Sequence, residues 1–289
     1  MRMTFPSAVL PDETAFPVLK AALAAGVNPE DADKVVVCIK SGVVDMKTLL
    51  IDGSPETVRR LVADANRVLA GRKKIYVFGV AGVDPKVPGE ETVRALGELV
   101  AAGEIGGIQL SEVGAATIRR AAAVAKIDMV GEEESLWATE IFGNGVAETC
   151  AELGIPVVAH TPLGVRMLTG KIKTLDDLPP GHHLRVFPRF QPENFQKILD
   201  LVAELEKLAK AKGVSPSQLA LSWVKLKSKK PGILLIIPVA GARSGERVKE
   251  NAETVNLSEE ELGAIAAILE SFPVYGTRYP APGMKLVEF

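Results

Sequence analysis

Short runs of apolar, mostly β-branched residues recur along the chain from about Lys34 onward, and each is followed by a longer stretch with helical spacing. Brief continuous apolar runs are typical of strands that are buried on both faces of a parallel sheet. The pattern predicts six strands: Lys34–Ile39, Lys74–Phe78, Ile105–Leu110, Ile127–Gly131, Pro156–His160 and Ile233–Pro238.

Between these runs, apolar residues return at i, i+3 and i+4, which is the spacing of helices with one buried face. Ser54-Pro-Glu is a helix start, with serine as the N-cap and proline in the first turn. Helices are predicted at Asp12–Ala25, Ser54–Leu69, Pro88–Ala102, Ala115–Val124, Asn144–Leu153, Pro192–Ala211, Ser215–Leu226, Gly245–Ala252 and Ser258–Leu269. Strict alternation of strands and helices predicts an α/β fold of right-handed βαβ units.

The whole chain, residues 1–289, is interpreted as a single α/β-barrel domain because no linker or low-complexity tract interrupts the pattern. A closed (β/α)₈ barrel needs eight strands, and the deficit lies at the N-terminal end. The strands at Lys34–Ile39 and Ile233–Pro238 would then be open edges with unpaired backbone groups. A homodimer, or a strand from Met1–Leu10, is expected to cover them.

Composition narrows the class of protein. Hydrophobic residues make up 47% of the chain and aromatic residues 5%, so the core is expected to be aliphatic. A net charge of −2 with mixed signs argues against nucleic acid or an anionic membrane as the main partner. Met1 is not followed by a leader pattern, and the protein is expected to be cytoplasmic. Cys38 and Cys150 lie in apolar segments and are predicted to be buried thiols.

Four segments carry a family resemblance: VDPKVPGEETVRALGELVAAGEIGGIQLSEV (Val83–Val113), NGVAETCAELGIPVVAHTPLG (Asn144–Gly164), LPPG…PRFQPENF (Leu178–Phe195) and IIPVAGARSGERVKEN (Ile236–Asn251). They read almost word for word like the fungal pyridoxal-reductase-like branch of the aldo-keto reductases. The resemblance covers roughly Asp12 to Tyr279. It implies a (β/α)₈ barrel with NADPH across the carboxyl ends of the strands. It also implies an Asp–Tyr–Lys–His tetrad, in which tyrosine donates a proton while hydride arrives from nicotinamide.

The segment Gly241–Asn251 favours a phosphate site on its own residues. A loop runs into a helix start with Ser244 as N-cap, and Arg243 and Arg247 stand nearby. Helix amides and guanidinium groups suit a phosphate, although an ordinary capped surface helix would look the same. The resemblance implies that these three side chains hold the 2′-phosphate of NADP(H), and that Glu250 and Asn251 meet the adenine.

The segment from His160 to Gly164 follows a strand and therefore belongs to the functional face of a barrel. In the family an aromatic residue stacks on nicotinamide where this chain has His160. The resemblance implies that the loop, including Thr161, Leu163 and Gly164, covers the pyrophosphate. Arg166 either reaches phosphate or points into solvent. Ser111 matches a family residue that touches the nicotinamide amide.

The chain departs from the family at the tetrad. Lys40 matches the tetrad lysine, but Ala81 stands at the histidine position. The family's Asp and Tyr should lie between Gly26 and Pro29, where only Val27 and Asn28 stand.

Two further positions differ near the expected nicotinamide site. Gly131 replaces the glutamine that orients nicotinamide in the family, and Glu134 replaces a tyrosine. The run Glu132–Glu134 is interpreted as mainly solvated, with Glu133 facing opposite to its neighbours.

Lys40 and His160 are the candidate catalytic residues. A salt-bridged barrel lysine and a core histidine are the competing interpretations. His160 is favoured as an acid/base because imidazole titrates near neutrality. His182 and His183 are adjacent, point different ways in this interpretation, and are not expected to bind a metal.

The sequence thus predicts an NADP(H)-binding enzyme acting on a small aldehyde or ketone of pyridoxal-like type. Losing the phenol removes a proton donor worth ~10²–10⁴-fold, so reductase activity is expected to be weak. Two alternatives stay open. One is a non-redox isomerase, cyclase or lyase that uses His160 and Lys40 as acid and base. The other is a catalytically inactive binding or regulatory protein.

Overall fold

The computed structural model describes residues 36–45, 50–228 and 235–288. Six parallel strands form one sheet in chain order, curled as part of a (β/α) barrel. They are β1 (Val37–Ser41), β2 (Ile75–Val80), β3 (Ile108–Ser111), β4 (Met129–Glu133), β5 (Val157–His160) and β6 (Ile236–Val239). All six predicted strands are confirmed. The pattern missed a short antiparallel pair, Val43–Asp45 with Leu50–Ile51, because its strands are too short to show a period.

Several strands continue beyond the apolar run that predicted them. The run at Ile127–Gly131 becomes a strand at Met129–Glu133, and β1 extends to Ser41. Backbone pairing persists after the side chains turn polar, because the ladder is made by main-chain groups. The polar ends of these strands form the region where the candidate site lies. The first residues of the runs Lys34–Ile39 and Ile233–Pro238 lie outside the described residues.

Local capping signals explain where the helices begin. Ser54 accepts from Thr57 N at 3.3 Å, and Asp52 accepts from Ser54 N at 2.9 Å. The helices are α1 (Pro55–Leu69), α2 (Gly89–Ala101), α3 (Ala115–Val124), α4 (Val146–Glu152), α5 (Pro192–Lys212), α6 (Pro216–Lys227), α7 (Gly245–Ala252), α8 (Glu259–Ser271) and α9 (Ala281–Met284). Short 3₁₀ turns lie at Glu140–Phe142, Gly164–Thr169, Leu175–Asp177, His183–Val186 and Pro188–Phe190. The predicted helix at Asp12–Ala25 lies outside the described residues. Among the described helices, none combines the length and the apolar character needed to cross a membrane.

The core lies between the sheet and the helices that pack on it. Phe78 of β2, Leu96 of α2 and Ile118 of α3 are among its fully buried side chains. As the composition predicts, aliphatic residues fill most of this layer. Burial of these side chains fixes the sheet beneath the helices, and it leaves the other face of the strands to carry polar groups.

The two outer strands of the sheet are β1 and β6, the two strands that the sequence predicted as open edges. In the described part of the chain, neither pairs with a further strand. Ile237 and Val239 of β6 stay about 40% exposed. The Met1–Leu10 segment that was expected to cover an edge lies outside the described residues, so closure by this segment or by a dimer stays a prediction.

The two cysteines differ in environment. Cys150 on α4 is buried as predicted, but Cys38 is exposed and that prediction is wrong. Cys38 shares a face of β1 with Lys40, since residues two apart on a strand point the same way. An apolar run therefore did not bury its thiol, because the run forms an edge strand whose one face is open.

Candidate active site

Polar side chains gather at the carboxyl ends of four strands. Lys40 stands on β1, Ser111 ends β3 and is followed by Glu112, Glu133 ends β4, and His160 ends β5. In (β/α) barrels this end of the sheet carries the functional groups. The structure therefore brings together both predicted catalytic residues, together with carboxylates that were not predicted to act.

Lys40 reaches from the edge strand β1 towards β3. It lies opposite Gly79 of β2, which has no side chain to block it, and its Nζ donates to Ser111 Oγ at 3.0 Å. Within the described residues no carboxylate forms an ion pair with Nζ. Burial lowers the pKa of Lys40, and the charges of Glu112 and Glu132 only partly oppose this. The salt-bridged interpretation is therefore not supported by the described part of the chain.

His160 is paired with the carboxylate of Glu112. Its Nε2 lies 2.5 Å from Glu112 Oε1, and both side chains are largely buried. Arg278 Nη1 contacts the other carboxylate oxygen at 3.0 Å, and Tyr279 donates its phenol proton to Oε1 at 3.0 Å. Burial raises the pKa of Glu112, but the opposing effect of His160, Arg278 and Tyr279 is larger and lowers the pKa to about 2. Glu112 is thus an anion at neutral pH that lies directly beside the imidazole.

A second carboxylate, Glu133, organises the other side of the site. It accepts from Thr161 Oγ1 at 3.0 Å and from Arg189 Nη1 at 3.2 Å, and it contacts Arg278 Nε. Glu140 lies 3.4 Å from both arginines. Arg278 is 6% exposed, so its charge is stabilised by these carboxylates rather than by water.

The segment Val274–Glu288, which we call the closing segment, brings Arg278 and Tyr279 to the site. Its later part is tied to the sheet by main-chain contacts. Val83 N donates to Leu286 O at 2.9 Å, and Glu288 N donates to Glu112 O at 2.9 Å. Gly114 N also donates to Glu288 Oε2 at 2.9 Å. The closing segment is therefore a wall of the site.

The acidic run Glu132–Glu134 is buried, so the solvated interpretation is wrong. Glu132 accepts from Val113 N at 3.0 Å, and burial together with the charge of Glu112 raises its pKa well above the usual range. Glu134 is fully buried, and neither oxygen has a hydrogen-bond partner in the described part of the chain. Burial raises the pKa of Glu134 to about 8, although the charge of Lys227 opposes the shift. The run is buried because it continues strand β4 into the protein.

The loop after β5 contains several residues in the left-handed region of backbone space. Thr161, Gly164, Val165 and Arg166 have φ values of 51°, 52°, 46° and 85°. A β-carbon on Gly164 would lie 2.9 Å from the ring of Trp137, so only glycine fits there. Left-handed conformations of other residues cost about 1–3 kcal/mol each and cluster at functional sites. Arg166 is exposed, and Leu163 of the same loop is buried.

The predicted phosphate turn forms as a capped helix start. Ser244 caps α7 by accepting from Arg247 N at 3.2 Å. The Arg247 guanidinium contacts Glu250 and lies 3.3 Å from Ser217 Oγ. Arg243 is exposed. The turn therefore presents a helix N-terminus preceded by the exposed Arg243, while the Arg247 guanidinium is paired with Glu250. A helix N-terminus is a site that suits a phosphate.

Asn251 ends this turn with an unused acceptor. Its Nδ2 lies 3.4 Å from Gly241 O, while its buried Oδ1 has no partner among the described residues. A buried acceptor without a donor is costly unless a ligand supplies one. The exocyclic amine of an adenine is such a donor, so the residues present fit an adenine nucleotide.

The sequence profile of the Aldo/keto reductase family matches residues 7–270, most of the chain. The chain belongs to the aldo/keto reductase family. This family consists of oxidoreductases that use nicotinamide cofactors on small molecules.

Relatives of this aldo/keto reductase are similar over most of their length. It is 36% identical to the probable pyridoxal reductase 2 of Schizosaccharomyces pombe over 87% of this chain and 76% of that protein. It is 35% identical to the putative pyridoxal reductase of Saccharomyces cerevisiae over 87% of this chain and 77% of that protein. It is 36% identical to the NADP(+) aldo-keto reductase yakc of S. pombe over 81% of this chain and 68% of that protein. Among solved structures, the glycerol dehydrogenase of Gluconobacter oxydans matches with a TM-score of 0.77 and 24% identity, covering 96% and 91% of the two chains. That likeness shows the shared fold.

The departures of this aldo/keto reductase from its family have structural counterparts. Ala81 follows β2, and its methyl group cannot act as an acid or a base in place of the family's histidine. At Gly131, a β-carbon would lie 2.7 Å from Gln109 Nε2, so the neighbouring strand fills the space of the missing glutamine side chain. The interval that lacks the family's Asp and Tyr lies outside the described residues.

The adjacent histidines do not point different ways. The rings of His182 and His183 stack with their centroids 4.6 Å apart, because a 3₁₀ turn begins at this point. No cluster of three or more metal-ligating side chains occurs in the described part of this aldo/keto reductase.

Sequence reasoning missed four residues that shape the site: Glu112, Arg189, Arg278 and Tyr279. Glu112 offered a signal, because it directly follows a buried strand. Arg278 and Tyr279 offered none, because they contact residues far away in the chain and lie in an irregular segment.

Proposed function

We propose that this aldo/keto reductase is an NADP(H)-linked enzyme that reduces a small aldehyde or ketone of pyridoxal-like type at a low rate. The observation that supports the proposal is the turn Gly241–Asn251, where a helix capped by Ser244 begins and the buried amide oxygen of Asn251 has no partner among the described residues. The names of the relatives support the cofactor and the substrate class, since two are pyridoxal reductases and one is an NADP(+) enzyme. A single domain and a cytoplasmic location stay predictions.

In this proposal the cofactor supplies hydride, and each end of it has its own residues. Arg243, Ser244 and Arg247 hold the 2′-phosphate, while Glu250 and Asn251 meet the adenine. The ligands of the pyrophosphate and the nicotinamide amide come from strand ends and the loop after β5: Ser111, Thr161, Leu163, Gly164 and Arg166. Gly241 leaves open space at the turn, since nothing lies within 4 Å of its β-carbon position.

Proton supply is the weak part of the site. No phenol of the described residues stands free at the strand ends, because the Tyr279 hydroxyl donates to Glu112. The group best placed to move a proton is His160, whose Nε2 is held by Glu112. Transfer through a substitute imidazole is expected to be slower than through the family's tyrosine.

The experiment that tests the cofactor assignment is a fluorescence titration with NADPH and NADH. The protein is expected to prefer NADPH, and Arg247→Ala should weaken NADPH binding by about 1.5–3 kcal/mol, the value of a charged hydrogen bond. Lys249→Ala is the matched control, because Lys249 is exposed on the same helix. Equal curves for wild type and Arg247→Ala, or no response to NADPH, would contradict the assignment.

A second candidate is a non-redox reaction, such as an isomerisation or a lyase step. It is favoured by the pairing of His160 with Glu112 beside a lysine that has a hydroxyl partner. Mass spectrometry of the nucleotide retained by the purified protein, with an NADPH-oxidation assay over an aldehyde panel, separates the two. Retained NADP(H) and aldehyde-dependent oxidation support the reductase. Absence of both would favour acid–base chemistry.

A further inference from the structure

The amine of Lys40 occupies an unusual position for a lysine in this protein. It projects from an edge strand over Gly79, toward Ser111 two strands away. Lys126, Lys173 and Lys212 each pair with a carboxylate. The Lys40 amine instead meets one hydroxyl, which can accept from the amine or donate to it, so its nitrogen is not committed to an anion.

Two neighbours equip this amine for carbonyl chemistry. Ser111 contacts Nζ, and the next residue, Glu112, lies 2.5 Å from the imidazole Nε2 of His160. Part of the side chain is exposed while its Nζ lies among the strand ends beside Ser111, so a small molecule can approach it. A lowered pKa, caused by burial around Nζ, increases the fraction of free amine at neutral pH. Free lysine amines with these features condense with aldehydes and ketones.

We propose that Lys40 captures the carbonyl group of a small aldehyde as a Schiff base. The amine nitrogen attacks the carbonyl carbon, and a C–N bond forms. The carbonyl oxygen then leaves as water, which takes one proton from the amine and one from the imidazolium of His160, so the Schiff base keeps the second amine proton. No oxidant or reductant takes part. The proposal goes beyond the reductase function, because it needs no nicotinamide cofactor.

The capture gives the second candidate function a chemical basis. A protonated Schiff base withdraws electrons from the neighbouring carbon, so a proton on that carbon becomes easier to remove. His160, whose imidazole lies beside Glu112 at the end of β5, is the side chain that takes this proton. The same pair would therefore serve an isomerase or a lyase.

The test is reductive trapping without any nucleotide. The full chain is incubated at neutral pH with one equivalent of pyridoxal, quenched with borohydride, and mapped by peptide mass spectrometry. Borohydride supplies the hydride that turns the imine into a stable secondary amine. We expect one adduct, on Lys40, with an occupancy clearly above that of exposed Lys126, because burial lowers the pKa of Lys40 and the pairing with Asp128 raises the pKa of Lys126.

Lys225 is the internal control. Burial lowers its pKa too, but its Nζ contacts the carbonyl oxygens of Asn251, Ala252 and Glu253 at 3.2–3.4 Å. It is therefore expected to stay unlabelled. Lys40→Arg should lose the adduct while its thermal unfolding stays unchanged. If this variant fails to fold, the peptide map of the wild type decides alone.

Equal labelling of Lys40 and Lys225, spread of the adduct over exposed lysines, or full labelling of Lys40→Arg would overturn the proposal. The outcome is independent of NADPH binding. Labelling of Lys40 without an NADPH response would leave the Schiff base standing and remove the reductase, and the reverse result would do the opposite.

Discussion

Replacing Glu134 by glutamine tests how strongly a buried, unpartnered carboxyl couples the stability of the protein to pH. Glu134 is fully buried, and no described residue bonds either oxygen. Its pKa is raised from 4.5 to about 8, mainly because burial disfavours the charged form. The folded protein therefore keeps this proton until about pH 8, whereas the unfolded chain loses it above about pH 4.5.

Between these two pH values the unfolded state binds fewer protons than the folded state, so stability falls as pH rises. The slope for one group is about 1.4 kcal/mol per pH unit. From 4.5 to about 8, Glu134 is expected to destabilise the fold by roughly 4 to 5 kcal/mol in total. Glutamine has nearly the same shape and no charge, so Glu134→Gln should remove this dependence.

Urea unfolding at several pH values, followed by the fluorescence of buried Trp137 and Trp223, measures the difference. The variant and wild type should differ little near pH 5, and the variant should be several kcal/mol more stable at pH 8 to 9. Glu270→Gln, at an exposed position of α8, controls for the substitution itself. Parallel stability curves for wild type and Glu134→Gln would refute the reasoning, because they would mean that Glu134 ionises equally in both states.

Three further predictions concern activity and assembly. Turnover of a simple aldehyde should lie far below the enzyme median of ~10 s⁻¹, and a steady-state rate near that median would mean that an unforeseen acid is present. His160→Ala and His160→Tyr should both lose activity by roughly a hundredfold or more, with NADPH affinity kept in the tyrosine form; an active His160→Phe with an unchanged pH profile would end the acid/base role. The open edges at β1 and β6 should make the protein a homodimer. Light scattering that shows a monomer at micromolar concentration, with fast amide exchange throughout Met1–Leu10, would exclude both a dimer and closure by this segment.

The strands and helices could be predicted from the sequence because their signals are local. The run at Pro156–His160 is apolar and β-branched, and its strand begins within one residue of the prediction. Ser54 and Ser258 mark the starts of helices, because each side chain accepts a hydrogen bond from the backbone amide three residues later. Such signals need only a few neighbouring residues, so one sequence contains them.

The electrostatics of the site could not be read in this way. His160 was identified from its place after a strand, but its partner Glu112 comes from another strand. Arg278 meets Glu112 across 166 positions of chain, without any periodicity that would link them. Glu132–Glu134 looked like a solvated run, since charge alone does not reveal whether a strand carries it inward. The prediction that Cys38 is buried was wrong for the opposite reason: an apolar run at a sheet edge has one face open to solvent.

The closing segment also has a consequence for the order of events during synthesis. Arg278 and Tyr279 follow every strand and all but the last described helix in chain order, yet they neutralise and hold Glu112 and Glu133. A nascent chain can form its sheet and most of its helices while these carboxylates still lack Arg278 as a partner. The site is therefore completed only after the closing segment has been synthesised. An intermediate without this segment would have the strands of the sheet but an incomplete site.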